Sequence, residues 1–166
     1  MTETALITNS DIRTVRNLSA TFSADRLNGY ILEAQRMNLQ DLLGQGLYLD
    51  FVNNISSSKY QTLLNGEEYE YAGYTINYYG IKKYLIYVVL GILAREGDIW
   101  HSNIGNREYN DDRSNKTNNV LANSYMSTAS DFGNGIKQYL DTKSATYPLW
   151  EGNSLEIGSD YYFNII

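Results

Sequence analysis

The segment from Ile81 to Glu96 constrains the fold more than any other stretch of the chain. Apolar residues stand at 81, 84, 85, 88, 89 and 92, the spacing of one helix face, and Leu90 lies off that face. A helix apolar nearly all round belongs at the centre of a fold, with the remaining elements packed around it. Its apolar run from Tyr84 to Ala94 is eleven residues long, well short of the roughly twenty that a bilayer requires. A buried helix is therefore expected, with Tyr84, Leu85, Val88, Val89 and Ile92 in the core and Gly97 after its last turn.

The elements before it read as amphipathic helices. Leu6 and Ile7 suggest a short extended piece, followed by one helical turn from Ser10 or Asp11. Ser23 opens the first long helix, whose stripe is Leu27, Ile31, Ala34 and Met37, and Leu42-Leu43 closes it before Gly44. Gly44-Gln45-Gly46 is a hinge. A second helix follows with Leu47, Tyr48, Phe51, Val52 and Ile55 on one face, and Ser56-Ser57-Ser58 interrupts it. A third, shorter helix carries Tyr60, Leu63 and Leu64 and stops at Asn65-Gly66.

Between residues 67 and 80 the period changes from 3.6 to 2. Tyr69 and Tyr71 alternate with Glu68 and Glu70, and Ala72-Gly73 turns the chain into Tyr74-Thr-Ile-Asn-Tyr-Tyr, which predicts a β-hairpin. Two strands alone are marginal and need a surface to lie on. Residues 98–119 are polar and rich in Asn, Asp and Gly, so an interaction loop is expected there, ordered in an assembly. The last long helix is expected to begin between Lys116 and Val120, with Leu121, Tyr125, Ala129, Phe132, Ile136, Tyr139 and Leu140 as its stripe. Residues 147–166 form an aromatic tail with Gly152, Gly158 and Pro148, a composition that favours an extended arm. Exposed apolar side chains of that density need a surface to cover them. A neighbouring subunit or another protein is the expected one, and packing on the chain's own domain is the alternative.

Composition narrows the chemistry. Thirteen Lys and Arg against nineteen Asp and Glu give a net charge of −6, which argues against a protein built to grip nucleic-acid phosphates. Cys is absent and His occurs once, at His101, so disulfides, thiol chemistry and Cys/His zinc sites drop out. The opening Met1-Thr-Glu-Thr-Ala-Leu lacks a basic and apolar leader pattern, so no secretory signal is expected and synthesis in a cytoplasm is. Gly44-x-Gly46 and Gly133-x-Gly135 are not continued into a phosphate-binding glycine loop. Glu68 and Glu70 share a strand face and read as its solvated side, not as a glycosidase pair. Asn110, Asp111, Asp112 and Asn115 do not follow the spacing of a calcium loop. No catalytic, cofactor-binding or metal-binding residue is assigned, and an enzyme is not expected.

Tyr, by contrast, occurs sixteen times in a chain with one Pro. Its large apolar ring and polar tip suit burial against another protein. Tyr69, Tyr71, Tyr74, Tyr78, Trp100, His101, Tyr109, Tyr147, Trp150, Tyr161, Tyr162 and Phe163 are the candidate interface residues.

The order and spacing of several blocks resemble a known family. Leu6-Ile-Thr-Asn-Ser-Asp-Ile, Ile31-Leu-Glu-Ala-Gln-Arg-Met and Leu42-Leu-Gly-Gln-Gly-Leu-Tyr are similar to the opening of head–tail connector proteins of tailed bacteriophages. Tyr60-Gln-Thr-Leu-Leu-Asn-Gly-Glu-Glu-Tyr, then Gly80-Ile-Lys-Lys-Tyr-Leu-Ile-Tyr, resembles the variant in Bacteroidetes-infecting, crAss-like phages. The resemblance spans about residues 5 to 141 and does not extend past Thr142. It implies a structural virion protein that forms a ring, commonly a dodecamer, in the neck below the portal. Such a ring extends the DNA channel, lets DNA pass without specific binding, and offers the tail an attachment surface. The implied partners are its own copies, the portal protein and other neck or tail proteins, with no membrane and no cofactor.

The expected architecture is a mainly α domain, residues 1–146, of four to five helices, with a β-hairpin insertion at 67–80, a polar loop at 98–119 and an extended C-terminal arm at 147–166. The alternative function is a soluble binding module, with carbohydrate as the ligand of the Tyr-rich hairpin; an acid–base hydrolase ranks below both.

Overall fold

The computed structural model describes residues 4–16, 23–96 and 112–152, with 112–117 by backbone alone. Helix α1 (Asn9–Val15) begins where Thr8 accepts the Asp11 N–H and the Asp11 carboxylate accepts the Thr8 N–H in return, a reciprocal cap that starts the helix slightly earlier than expected. Helix α2 (Ala24–Ala34) opens on Ser23, whose Oγ accepts the Arg26 N–H at 3.2 Å. It continues through a π-helical turn (Gln35–Leu39) into α3 (Gln40–Leu43), one rod that stops at Gly44 with φ +75°.

The π turn has a visible consequence. Gln35, buried within the rod, takes the Leu6 N–H on Oε1 at 2.7 Å and donates Nε2 to the Thr4 carbonyl at 3.3 Å. Its amide thus pairs with the extended N-terminal segment as a neighbouring strand would, and holds Leu6 and Ile7 in the core.

Helices α4 (Gln45–Asn53) and α5 (Ser58–Asn65) follow, then strands β1 (Glu67–Tyr71) and β2 (Tyr74–Tyr78). The strands pair antiparallel from Glu67↔Tyr78 to Tyr71↔Tyr74 around Ala72 (φ 51°) and Gly73 (φ 81°). Two successive positive φ values make the tight turn whose twist suits a hairpin. Helices α6 (Gly80–Arg95) and α7 (Asp112–Thr142) form the most extensive helix pair among the described residues.

The hairpin enters and leaves at one crossing point. A Cβ on Gly66 would lie 2.2 Å from the Tyr78 carbonyl oxygen, and one on Gly80 would lie 2.5 Å from that of Leu64. Both glycines also have positive φ, so backbone passes backbone where no side chain fits.

Helix α6 is the centre, as its sequence requires. Leu85, Val88 and Val89 on one face and Ile86 and Leu90 on others are all buried, while Ile92 is partly buried at the core's edge. Leu27 and Ile31 of α2, Leu63 of α5, and Ile136 and Leu140 of α7, all buried, belong to the helices that pack on it. Each such side chain contributes about 1.5–3 kcal/mol through its burial. The mainly α domain with a β-hairpin is the architecture expected, and α2 through α3 as one rod makes six helical rods among the described residues.

Two boundaries differ from expectation. Helix α7 begins at Asp112, so 112–119, expected within a loop, are helical. Residues 97–111 and 153–166, the remainder of the expected loop and most of the expected arm, lie outside the described residues. Tyr147, expected in that arm, is 1% exposed within the chain's own core, because its ring finds an apolar site between α5 and α7.

Candidate interaction surface

The hairpin is fastened to α7 by stacked aromatic rings. Alternation puts Tyr69, Ile76 and Tyr78 on one sheet face and Glu68, Glu70, Thr75 and Asn77 on the other. Tyr139 stacks on Tyr78 with centroids 4.0 Å apart and planes 5° from parallel, and meets Tyr69 edge-on at 5.2 Å. Tyr147 lies 6.1 Å from Tyr139 and 6.0 Å from Tyr60, which in turn meets the edge of Phe51. This chain of rings joins the hairpin to α7, α5 and α4.

Tyr60, Tyr78, Tyr139 and Tyr147 each place the hydroxyl on an acceptor, as burial demands. Tyr78 donates to the Leu63 carbonyl at 2.7 Å, Tyr147 to the Lys59 carbonyl at 2.7 Å, and Tyr139 to Glu67 Oε1 at 2.6 Å. Tyr60 donates to Asp50 Oδ2, and Lys59 lies 3.7 Å from that carboxylate and 4.3 Å from the Tyr60 ring centroid. The Tyr60 bond, assisted by Lys59 and Asn54, holds Asp50 below the usual carboxylate range. Burial pushes Tyr60, Tyr69, Tyr78, Tyr139 and Tyr147 above the usual phenol value, with Asp50 and Glu67 adding to the effect at Tyr60 and Tyr139. The hydroxyls of Tyr60, Tyr78, Tyr139 and Tyr147 thus act as structural donors.

Other aromatic rings of the hairpin remain outside. Tyr74 at the tip is 74% exposed, Tyr79 57% and Tyr71 43%. Tyr79 meets Phe132 of α7 edge-on at 5.6 Å. Beside this pair a groove of 240 Å³ runs between β2 and α7, with Asn77 and Tyr79 on one wall and Asp131, Phe132, Gly135 and Gln138 on the other. A Cβ on Gly135 would meet nothing within 4 Å, so the glycine leaves the α7 wall open.

The candidate interface residues therefore divide. Tyr71 and Tyr74 are free on the hairpin, as an interface role requires. Tyr69 and Tyr78, expected beside them, are 5% and 6% exposed and form the hairpin's own anchor. Tyr147 is core and serves this chain's interior, while Trp150 is partly buried against that core, with Nε1 donating to Asp141 Oδ1 at 2.6 Å. Trp100, His101, Tyr109, Tyr161, Tyr162 and Phe163 lie outside the described residues. Glu68 and Glu70 are exposed, with Glu70 accepting a bond from Thr75 at 2.6 Å. The groove wall on α7 was not legible in sequence: Phe132 reads as one more member of an apolar stripe, and Asp131 and Gln138 as solvated neighbours.

Among the described residues no group of three or more His, Cys, Asp or Glu is placed to hold a metal ion, and no helix is long and apolar enough to cross a membrane. A family model matches residues 39–155, which take in the hairpin, α6 and α7; its description is a family of unknown function (DUF6712). No curated protein and no solved structure matches the chain.

Proposed function

The chain belongs to the DUF6712 family, a family of unknown function, and from the resemblance of its sequence blocks to head–tail connectors, together with its exposed tyrosines, we propose that it is a structural virion protein: a subunit of a ring in the head–tail neck of a tailed phage. The observation that carries this reading is the set of three exposed tyrosines, Tyr71, Tyr74 and Tyr79: Tyr71 and Tyr74 stand at the tip of the same sheet face that is locked to the helical body at its base through Tyr69 and Tyr78. Large aromatic side chains on a rigid projection are what a recurrent protein–protein contact uses. A projection from one side of a subunit that seats on a different patch of the next is a heterologous contact, which closes into a ring when the rotation permits. The resemblance to head–tail connectors supplies the setting, with the portal and other neck or tail proteins as neighbours and a dodecamer as the expected ring. The net charge of −6 suits a channel wall that lets DNA pass without holding it. In this reading the chain binds and positions, and catalyses nothing.

Native mass spectrometry and negative-stain imaging test it, on the chain alone and with the portal protein. Closed rings are expected, and Tyr71→Ser/Tyr74→Ser should abolish them while leaving the circular dichroism spectrum and melting temperature unchanged. A chain that stays monomeric in both settings and binds glycans through the hairpin would replace this reading with that of a carbohydrate-binding module.

A further inference from the structure

The groove between β2 and α7 has one wall that is, among the described residues, an open sheet edge. The two-residue turn makes Tyr71 and Tyr74 a hydrogen-bonded pair, so Tyr69/Ile76 and Glu67/Tyr78 are the next such pairs. Thr75 and Asn77 then direct their N–H and C=O groups away from β1, and among the described residues the sheet has no third strand. Asn77 belongs to the sheet face turned from α7 yet lines the groove, which puts its outward backbone at the rim. The β1 edge is different in kind: its outward residues, Glu68 and Glu70, are acidic and repel a strand from an acidic chain.

We propose that residues 153–166 of the same chain occupy this groove, adding a third strand to β2 and seating apolar side chains against Phe132 and Gly135. The attachment point supports this occupant. Trp150 is bonded to Asp141, and Asp141 and Gln138 are neighbours at i and i+3 on one flank of α7. The tail therefore departs one helical turn from the end of the groove. From Asp141 to Phe132 is about 14 Å along the helix at 1.5 Å per residue, and fourteen residues reach about 46 Å when extended. The composition fits as well: Leu155-Glu156-Ile157 alternates as a strand does, and Tyr161, Tyr162 and Phe163 follow. A short tether gives the segment a millimolar effective concentration at its own groove, which favours it over the same segment of another copy.

Amide exchange of the full chain tests the proposal. Thr75 and Asn77 should exchange at least tenfold more slowly than in the Leu155→Asp/Ile157→Asp chain, with the difference independent of protein concentration. Gly135→Leu fills the groove from a position that favours helix, and should release the same two amides while Leu85 and Val89 stay protected. Because the chain has no Cys, a nitroxide on Ser159→Cys is unique, and it should broaden the Asn77 and Gln138 resonances of its own chain. Broadening only of unlabelled chains mixed with it would assign the groove to a second copy and overturn the proposal. Equal exchange of Thr75 and Asn77 in all three proteins, without broadening, would overturn it as well. Ring formation is read separately by native mass, so each idea can fail without the other.

Discussion

Tyr139 lies flat on Tyr78, ring centroids 4.0 Å apart, while its hydroxyl reaches Glu67 at the first position of the opposite strand. One side chain of α7 thereby holds both strands of the hairpin, and with Tyr147 it carries that hold into the body of the subunit. The hairpin is marginal by itself, so its position depends on this residue.

Tyr139→Ala should therefore destabilise the protein by about 3–5 kcal/mol, as loss of a large buried aromatic does. Tyr139→Phe keeps the stack and loses only the bond to a half-exposed carboxylate, about 0.5–1.5 kcal/mol. Urea denaturation followed by circular dichroism measures both, and equal losses for the two variants would show that the hydroxyl, not the ring, is the anchor.

The glycine pair at the hairpin's base should tolerate nothing larger. Gly66→Ala and Gly80→Ala each combine positive φ with a backbone clash, and a cost of at least about 1–3 kcal/mol is expected from strain alone. Gly91→Ala is the control: its Cβ would approach Met126 Sδ at 2.6 Å, but methionine is flexible and alanine favours helix. Melting temperatures should fall clearly for the first two and little for the third.

Stability should decline at alkaline pH. Tyr84, which donates to the Asn38 carbonyl at 3.2 Å, is pushed up to about 12 by burial and by Asp41. Above pH 10 the unfolded chain loses its phenolic protons while the folded chain keeps them. The unfolded state then binds fewer protons, and stability falls as pH rises. The contribution is complete below pH 10 and is lost as pH approaches 12 for Tyr84, with the other buried tyrosines acting in the same direction. Urea midpoints between pH 9 and 12 should drop, and less steeply in Tyr84→Phe.

Leu85→Ala should cost about 2–5 kcal/mol, since Leu85 is fully buried in the central helix. A change in urea stability below half that range would mean that α6 is not the centre of the core.

Local rules were enough to read most elements from the residues. The Ser23 cap, the stop at Gly44, the Ala72-Gly73 turn and the apolar circumference of α6 all act within a few residues, so they are visible in a linear pattern. The fate of each tyrosine was not visible, because a ring with a polar tip is equally at home inside and outside. What buries Tyr69 and Tyr78 is Tyr139, and what buries Tyr147 is the α5 end at Tyr60, with its hydroxyl on Lys59 eighty-eight residues away. The same holds for Gln35, a polar residue on a helix that becomes core only because the N-terminal segment lies beside it. The chain's local chemistry thus determined its helices, its turn and its central helix by itself. Which tyrosines became anchors and which stayed on the surface was decided by tertiary packing, where partners far apart in sequence supply the acceptors and rings that make burial favourable.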